Sequence, residues 1–223
     1  MKIKIQSTDV VSSNGVKIVI YGGSGVGKTV MLATAPDPFI ISAESGLLSL
    51  VGKNIPFAEV RTLQEIGEAY VYAKNSNHKT ICIDSLSEIG ESVLEHFQKE
   101  VAHGKQAYGK LAASVGPLIK NFRDIKDKNV IFVAKMKREE DEESGAVTYV
   151  PYIPGKVLPF NLPYQVDEVF CMTIDKKGNR YLQTNADRYR YCKDRSGMLD
   201  EHEGTDLTLI INKIKTQIQN SNR

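Results

Sequence analysis

Short apolar runs alternate with stretches of helical spacing as far as Ala134. Val16–Tyr21 (VKIVIY) is nearly continuous in apolar residues, ends in a Gly-rich turn and is followed by a helix-compatible stretch from Lys28. Apolar runs of this length bounded by turn residues predict buried strands. Pro38–Ser42 (PFIIS), Thr80–Asp84 (TICID) and Asn129–Ala134 (NVIFVA) read the same way. Between them, Thr62–Ala73 places Leu63, Ile66, Ala69, Tyr70 and Ala73 on one helical side, and Ser87–Val101 does so with Ile89, Val93, Leu94 and Phe97. Leu111–Ile125 is a further amphipathic helix, which Pro117 either restarts or bends. His103–Tyr108 (HGKQAY) is polar and Gly-bearing and reads as a loop. Strands alternating with helices predict an α/β fold with a mostly parallel sheet covered by helices.

Beyond Ala134 the pattern changes. Glu139–Gly145 is acidic and turn-like, and Val147–Val150 returns as a strand, which predicts an antiparallel hairpin. Pro151, Pro154, Pro159 and Pro163 punctuate an expected extended loop. Val166–Ile174 and Arg180–Thr184 predict a second hairpin turning at Lys177-Gly178-Asn179, with Tyr189–Lys193 as a further strand. Leu207–Ile218 closes the chain as a helix, with a few polar, frayed residues after it. The expected organisation is one domain over residues 1–223, with a hairpin insertion at 135–163 and a C-terminal helix within 204–223.

Composition leaves that picture standing. A chain of 223 residues with 41% hydrophobic and 25% charged residues suits one ordinary globular α/β domain. A net charge of +2 does not demand a nucleic-acid partner, although a local basic groove would suffice for one. Cys82, Cys171 and Cys192 are widely spaced and form no CxxC pair, which points to reduced thiols. Met1–Gln6 alternates Lys and Ile, with no apolar run after it that could serve as a signal peptide. Nothing approaches the ~20 apolar residues of a membrane span. The expectation is a soluble, cytoplasmic protein with no membrane partner.

The chemistry is concentrated after the first strand. Gly22-Gly23-Ser24-Gly25-Val26-Gly27-Lys28-Thr29 satisfies G-x-x-x-x-G-K-[ST] in full, between a strand and a helix. Glycines let backbone N–H groups curl around phosphates, Lys28 can reach the β- and γ-phosphates, and the Thr29 hydroxyl can ligate Mg²⁺. ATP and Mg²⁺ are therefore the expected ligands. Asp84, the acid at the end of an apolar strand downstream, is the matching magnesium residue. Two readings are open for Glu44, just past Pro38–Ser42: the carboxylate that activates the attacking water beside the P-loop strand, or a surface acid in a turn.

Together these residues resemble the RecA-like branch of P-loop ATPases, in which the catalytic Glu follows the second strand. Phe39-Ile40-Ile41-Ser42-Ala43-Glu44 is similar to that segment, and the resemblance puts Glu44 in the catalytic place. Asn129–Lys135 resembles the strand that ends at a γ-phosphate sensor; RecA-type proteins carry Asn-Gln there, and this chain has Ala134-Lys135. Tyr191-Cys192-Lys193-Asp194-Arg195 resembles the K-x-R element of DnaB- and KaiC-type ATPases, which implies that Lys193 and Arg195 act on a neighbouring subunit's ATP in a ring or filament. A solvated charged turn is the other reading of K-D-R. The order of motifs, with Tyr152–Gly155 (YIPG) before Asp167, is similar to the short phage and prophage RecA-like ATPases of single-strand annealing and recombination.

That resemblance implies single-stranded DNA as a partner, held by two loops facing a central axis. The matching segments offer Lys105, Tyr108 and Lys110 in the first, and Lys135, Lys137, Arg138 and Lys156 in the second, with Tyr149, Tyr152 and Phe160 interleaved. Cations on phosphates and aromatics on bases make a sequence-tolerant site. Glu139–Glu143 (EEDEE) in the same hairpin would repel DNA, and the alternative is a solvated turn or a protein contact. A single-strand DNA-binding protein is a further expected partner. The alternatives in function are a KaiC-like or helicase-loader-like ATPase acting on a protein, and a small-molecule kinase, for which no compact Arg-rich lid is visible.

Overall fold

The computed structural model describes residues 15–44 and 46–220, so the expectations for Met1–Gln6 and for the polar residues after 220 lie outside it. In chain order the elements are β1 (Lys17–Gly22), α1 (Lys28–Leu32), β2 (Pro38–Ser42), a 3-10 turn (Leu47–Leu50), β3 (Phe57–Glu59), α2 (Leu63–Asn75), β4 (Thr80–Asp84), α3 (Leu86–Glu100), α4 (Gly104–Arg123), β5 (Asn129–Glu140), β6 (Val147–Tyr152), α5 (Val157–Gln165), β7 (Glu168–Ile174), β8 (Arg180–Gln183), β9 (Lys193–Asp194), β10 (His202–Glu203) and α6 (Leu207–Asn220). They build one sheet in the order β10-β8-β7-β1-β5-β4-β2-β3, with β6 paired to β5 and β9 to β7. The strands from β7 to β3 are parallel, and β6, β8, β9 and β10 are antiparallel additions. The α/β class, with hairpins in the C-terminal part, is the observed one.

Continuous apolar runs form the central strands because both faces of the sheet are covered. Side chains alternate between faces, so β4 sends Ile81 and Ile83 to one core and Cys82 to the other. The first core is packed by α2 to α5, with Ile66, Ile89, Val93, Leu111 and Ile119 among the buried residues. The second is closed by Met31 and Leu32 of α1 and by Leu207, Ile210 and Ile211 of α6. Thr62 and Glu65 form a reciprocal capping box that starts α2.

Several expectations are corrected. His103–Tyr108 is not a loop: α4 begins at Gly104, so Lys105, Tyr108 and Lys110 sit on a helix. Ala107 is fully buried there, and its docking outweighs the poor helix propensity of Gly104 and Gly109. Pro117 neither restarts nor ends α4, which runs through it. The proline-rich stretch is not extended throughout. Val157–Gln165 is helical, with Pro159 in the first turn, where its missing N–H costs nothing, and with Leu158 and Leu162 buried. β5 runs past Ala134 to Glu140, and its register with β6, from Lys135↔Tyr152 to Glu140↔Val147, carries a ribbon out of the covered sheet. The expected strand Tyr189–Lys193 reduces to β9 and one bridge between Tyr149 and Arg190. Finally, β2 does not lie beside β1, because β5 and β4 stand between them.

Candidate functional site: a phosphate cavity at the carboxyl edge

Parallel strands bring their carboxyl ends to one edge, where ligands of open α/β sheets bind. Register places Gly22 beside Lys135 and Ser42 beside Asp84. The loop from Gly22 to Gly27 then turns into α1. Gly27 has a φ of 105°, open to glycine and strained for any other residue. A Cβ on Gly22 would lie 2.5 Å from the Met172 carbonyl oxygen, so the loop also needs glycine to pass β7. The loop, Glu44, Asp84, Ser85, Lys135, Met136 and Arg180 enclose a cavity of about 490 Å³, in the range of a small-ligand site.

Inside it the expected groups meet. Lys28 Nζ donates to the carbonyls of Gly22 (2.9 Å) and Gly23 (2.8 Å), folding its ammonium across the loop. Burial pulls Lys28 below the ordinary lysine range, while the Asp84 and Glu44 carboxylates pull it back up. The Thr29 hydroxyl donates to Asp84 Oδ2 at 2.7 Å. Asp84 is only 3% exposed, and burial raises its carboxyl above the usual range, with Glu44 adding to the rise and Thr29 and Lys28 opposing it. Two hard oxygen donors face each other here, on a buried carboxylate in need of positive charge, and this donor set fits Mg²⁺. Bound there, the metal would supply charge neutralisation for the phosphates.

Glu44 joins the same cavity although its strand is remote from β1. Its Oε1 accepts a 2.8 Å hydrogen bond from the Ser85 hydroxyl, and its backbone carbonyl accepts from Ser42 Oγ at 2.5 Å. Ser85 also accepts from Glu88 N–H and so caps α3. The side-chain bond ties the carboxylate to the end of β4, next to Asp84, which is more order than a free surface turn requires.

The remaining cations are committed elsewhere. Lys135 Nζ donates to Glu91 (2.5 Å) and Glu88 (2.9 Å) of α3, and although burial opposes it, these carboxylates hold the ammonium above the ordinary lysine range. Lys193 Nζ donates to the carbonyls of Pro163 (2.5 Å) and Val166 (2.6 Å) at the end of α5. Arg195 is 55% exposed and pairs with Asp167 at 3.1 Å. Neither lines this chain's own phosphate cavity.

The expected DNA residues are scattered over α4, β5 and the N-cap of α5. Lys137 pairs with Glu139 (2.9 Å) and Arg138 with Glu140 (2.7 Å), so the acidic run partners the cations of its own strand. Lys110 pairs with Glu100 at 3.1 Å, Lys105 is exposed, and Tyr108 packs over Gly155. Lys137 and Lys156 line a second cavity, of about 460 Å³, with Phe160, Tyr164 and Tyr191. Phe160 and Tyr164 are 68% and 71% exposed, with ring centroids 5.7 Å apart. Sequence reasoning missed Arg180 at the phosphate cavity and held Ser85 only as a fallback for Glu44. Ser85 is marked by its place directly after Asp84; Arg180 follows a hairpin turn and carries no local signal.

A glycine loop between a central parallel strand and a helix, a lysine across it and a Thr–Asp pair beneath it define a P-loop ATPase. The chain belongs to the AAA domain family, whose model matches residues 14–196. No curated protein matches it in sequence. Among solved structures it is similar to a KaiC-like protein of the hyperthermophilic archaeon Pyrococcus horikoshii OT3, at 14% identity, covering 76% of this chain and 77% of that one with a TM-score of 0.45. It is also similar to an ATPase of the type III secretion system of pathogenic bacteria, at 14% identity and a TM-score of 0.48. That match covers 74% of this chain and 54% of the other, so the chain spans about half of that protein's length. Likeness at this level carries no argument about function; the class rests on the site and the family match. Among the described residues no helix is long and apolar enough to cross a membrane, and no cluster of three or more His, Cys, Asp or Glu could hold a metal.

Proposed function

We propose that the chain is a self-associating ATPase of the RecA-like type that binds single-stranded DNA, in recombination or annealing of the phage kind. β5 is the observation that carries this reading. The strand leaves the covered sheet at Lys135, on the wall of the phosphate cavity, and two residues later presents Lys137 to the aromatic cavity of Phe160, Tyr164 and Tyr191. Cations beside stackable rings suit single-stranded nucleic acid, and a shared strand puts that surface next to the nucleotide. In hydrolysis, Lys28 balances phosphate charge, Thr29 and Asp84 hold Mg²⁺, and Glu44 orients and deprotonates a water aimed at the γ-phosphate. Lys193 and Arg195 act on the ATP of an adjoining subunit, which would draw Lys193 off its two carbonyls. The exposed rings of the same cavity favour a second reading, in which the partner is a protein.

The test is hydrolysis with and without single-stranded DNA, run alongside size analysis and with Lys28→Ala as the inactive control. DNA should stimulate turnover, and binding should weaken steeply with salt as counterions are released. Replacing Lys137 and Arg138 together should flatten that salt slope. Absence of single-strand binding by the wild type with ATP at low salt would move the assignment to the protein-partner reading.

A further inference from the structure

The phosphate cavity contains a cation that none of the expected motifs accounts for. Arg180 opens β8, directly after the turn of the β7–β8 hairpin, in register with Ile174. Its side chain crosses the sheet edge to the P-loop. A Cβ built on Gly27 would lie 3.1 Å from Arg180 Nε and 3.2 Å from its Cδ, with Met172 Cε 3.3 Å away. The arginine stem therefore lies against the last glycine before Lys28, and a side chain at position 27 would displace it.

Charge pairing separates Arg180 from its neighbours. Three basic side chains line the cavity: Lys28, Lys135 and Arg180. Lys28 is satisfied by two loop carbonyls and Lys135 by two α3 carboxylates. The Arg180 guanidinium has no acceptor among the described residues. A surface arginine ordinarily swings into water; this one lies along a loop that already holds another cation. Arg180 is exposed, so water can solvate its guanidinium, and an anion in the cavity would be met by Arg180 and Lys28 together. A planar fork of N–H donors matches phosphate oxygens in a way a point charge does not.

We propose that Arg180 is a phosphate ligand supplied in cis, donating to the polyphosphate chain of the nucleotide where it passes Gly27. This rests on the P-loop reading above and adds to it a residue from the far hairpin. It also divides the positive charge by origin: Lys28 and Arg180 from the chain that binds the nucleotide, Lys193 and Arg195 from its neighbour.

Binding of Mg-ATP, Mg-ADP and Mg-tripolyphosphate to the full chain, measured by calorimetry, tests it in the wild type, Arg180→Ala and Arg180→Lys. Loss of a charge-assisted hydrogen bond should weaken all three ligands ~10-fold or more in Arg180→Ala, at an unchanged melting temperature without ligand. Arg180→Lys should recover part of the loss, because it restores charge but not the fork. Wild-type affinity for ATP and ADP in Arg180→Ala overturns the assignment and leaves the P-loop reading intact, whereas a wild type that binds neither nucleotide overturns both. Weaker ATP binding with tripolyphosphate binding unaffected would place Arg180 on the base or ribose and overturn the phosphate contact. Mixing Arg180→Ala with Lys28→Ala should restore no hydrolysis; recovery would show that Arg180 serves a neighbour's site, against the cis assignment.

Discussion

Replacing Glu168 by Gln should raise the stability of the protein near neutral pH and remove most of the pH dependence that this residue imposes. Glu168 is fully buried on β7, directly across the ladder from Asp194 of β9, and neither carboxyl oxygen has a partner at good hydrogen-bond geometry, although the Asp194 carboxyl and the Arg195 N–H approach it. Asp194 is held as a carboxylate: its Oδ1 accepts from the Ser196 hydroxyl (2.6 Å) and Gly197 N–H (2.9 Å), and its Oδ2 from Leu199 N–H (3.0 Å). Burial opposes that ionisation, but these bonds keep Asp194 below the usual carboxyl range. Burial first, then the charge of Asp194 and a hydrogen bond shared with it, then the charge of Asp167, push Glu168 up to about 8 against the Arg195 N–H. The flanking cations do not rescue it, since Lys193 is spent on α5 carbonyls and Arg195 on Asp167.

The sign follows from proton counting. The folded carboxyl keeps its proton up to about 8, whereas the unfolded one releases it near the ordinary 4.5. The native state thus binds more protons across that window, and stability falls as pH rises through it, levelling off above. Each unit crossed is worth ~1.4 kcal/mol, and relaxation around the pair trims the total to about 3 kcal/mol. For a chain of this size that is roughly 6–12 °C in melting temperature. Gln keeps the shape and carries no charge. Thermal unfolding followed by circular dichroism in the two proteins, from about pH 5 to about pH 8.5, should show curves that diverge as pH rises, with the wild type the less stable. Parallel curves would refute the argument, because they would mean that Glu168 finds a partner or water when it ionises.

Glu44→Gln should bind Mg-ATP as the wild type does and hydrolyse it at least ~10²-fold more slowly, the scale of a lost general base; normal single-turnover rates would return Glu44 to the status of a turn acid. Ser85→Ala removes the donor to Glu44 and the α3 cap together, so turnover should fall with nucleotide affinity kept, and a loss confined to stability would limit Ser85 to capping. Gly90→Ala sets a Cβ 2.7 Å from Pro154 Cδ and 3.0 Å from Ile153 Cγ2. Overpacking of this kind costs about 1–3 kcal/mol; an unchanged denaturant midpoint would show that the Tyr152–Gly155 turn gives way freely.

The central sheet was legible because its strands are buried on both faces, so Thr80–Asp84 and Pro38–Ser42 announce themselves as uninterrupted apolar runs bounded at both ends. The P-loop was legible for a chemical reason, since close approach of backbone to phosphate leaves glycine as the residue that fits. What pattern did not reveal depends on partners distant in sequence. His103–Tyr108 reads as a loop until Ala107 is seen to be buried, and the proline-rich stretch over Val157–Gln165 reads as extended until Leu158 and Leu162 are seen to dock. Periodicity also says nothing about neighbours in the sheet. Glu44 was singled out on the expectation that β2 lies beside β1; β5 and β4 intervene, and the Ser85 hydroxyl brings Glu44 to the cavity wall instead. Arg180 was invisible because its meaning lies in a contact with Gly27, far from it in sequence.

The same contacts give the nucleotide site and the outlying ribbon a physical connection. Lys135 marks the point where β5 passes from buried sheet to exposed hairpin, and its ammonium is bound to Glu88 and Glu91 of α3. The Ser87 hydroxyl accepts from Lys135 N–H and donates to the Tyr152 carbonyl, so α3 is bonded to both strands of the hairpin. Two residues earlier, Ser85 caps that helix and holds Glu44. A load on Lys137 or Arg138 therefore reaches α3 through a continuous run of hydrogen bonds and ion pairs, and the N-terminal end of α3 carries the bond that fixes Glu44. Contiguity alone is not coupling. It does name the bond to test: if DNA stimulates hydrolysis, Ser85→Ala, which cuts the last link to Glu44, should lose that stimulation, and stimulation kept in full would exclude this route.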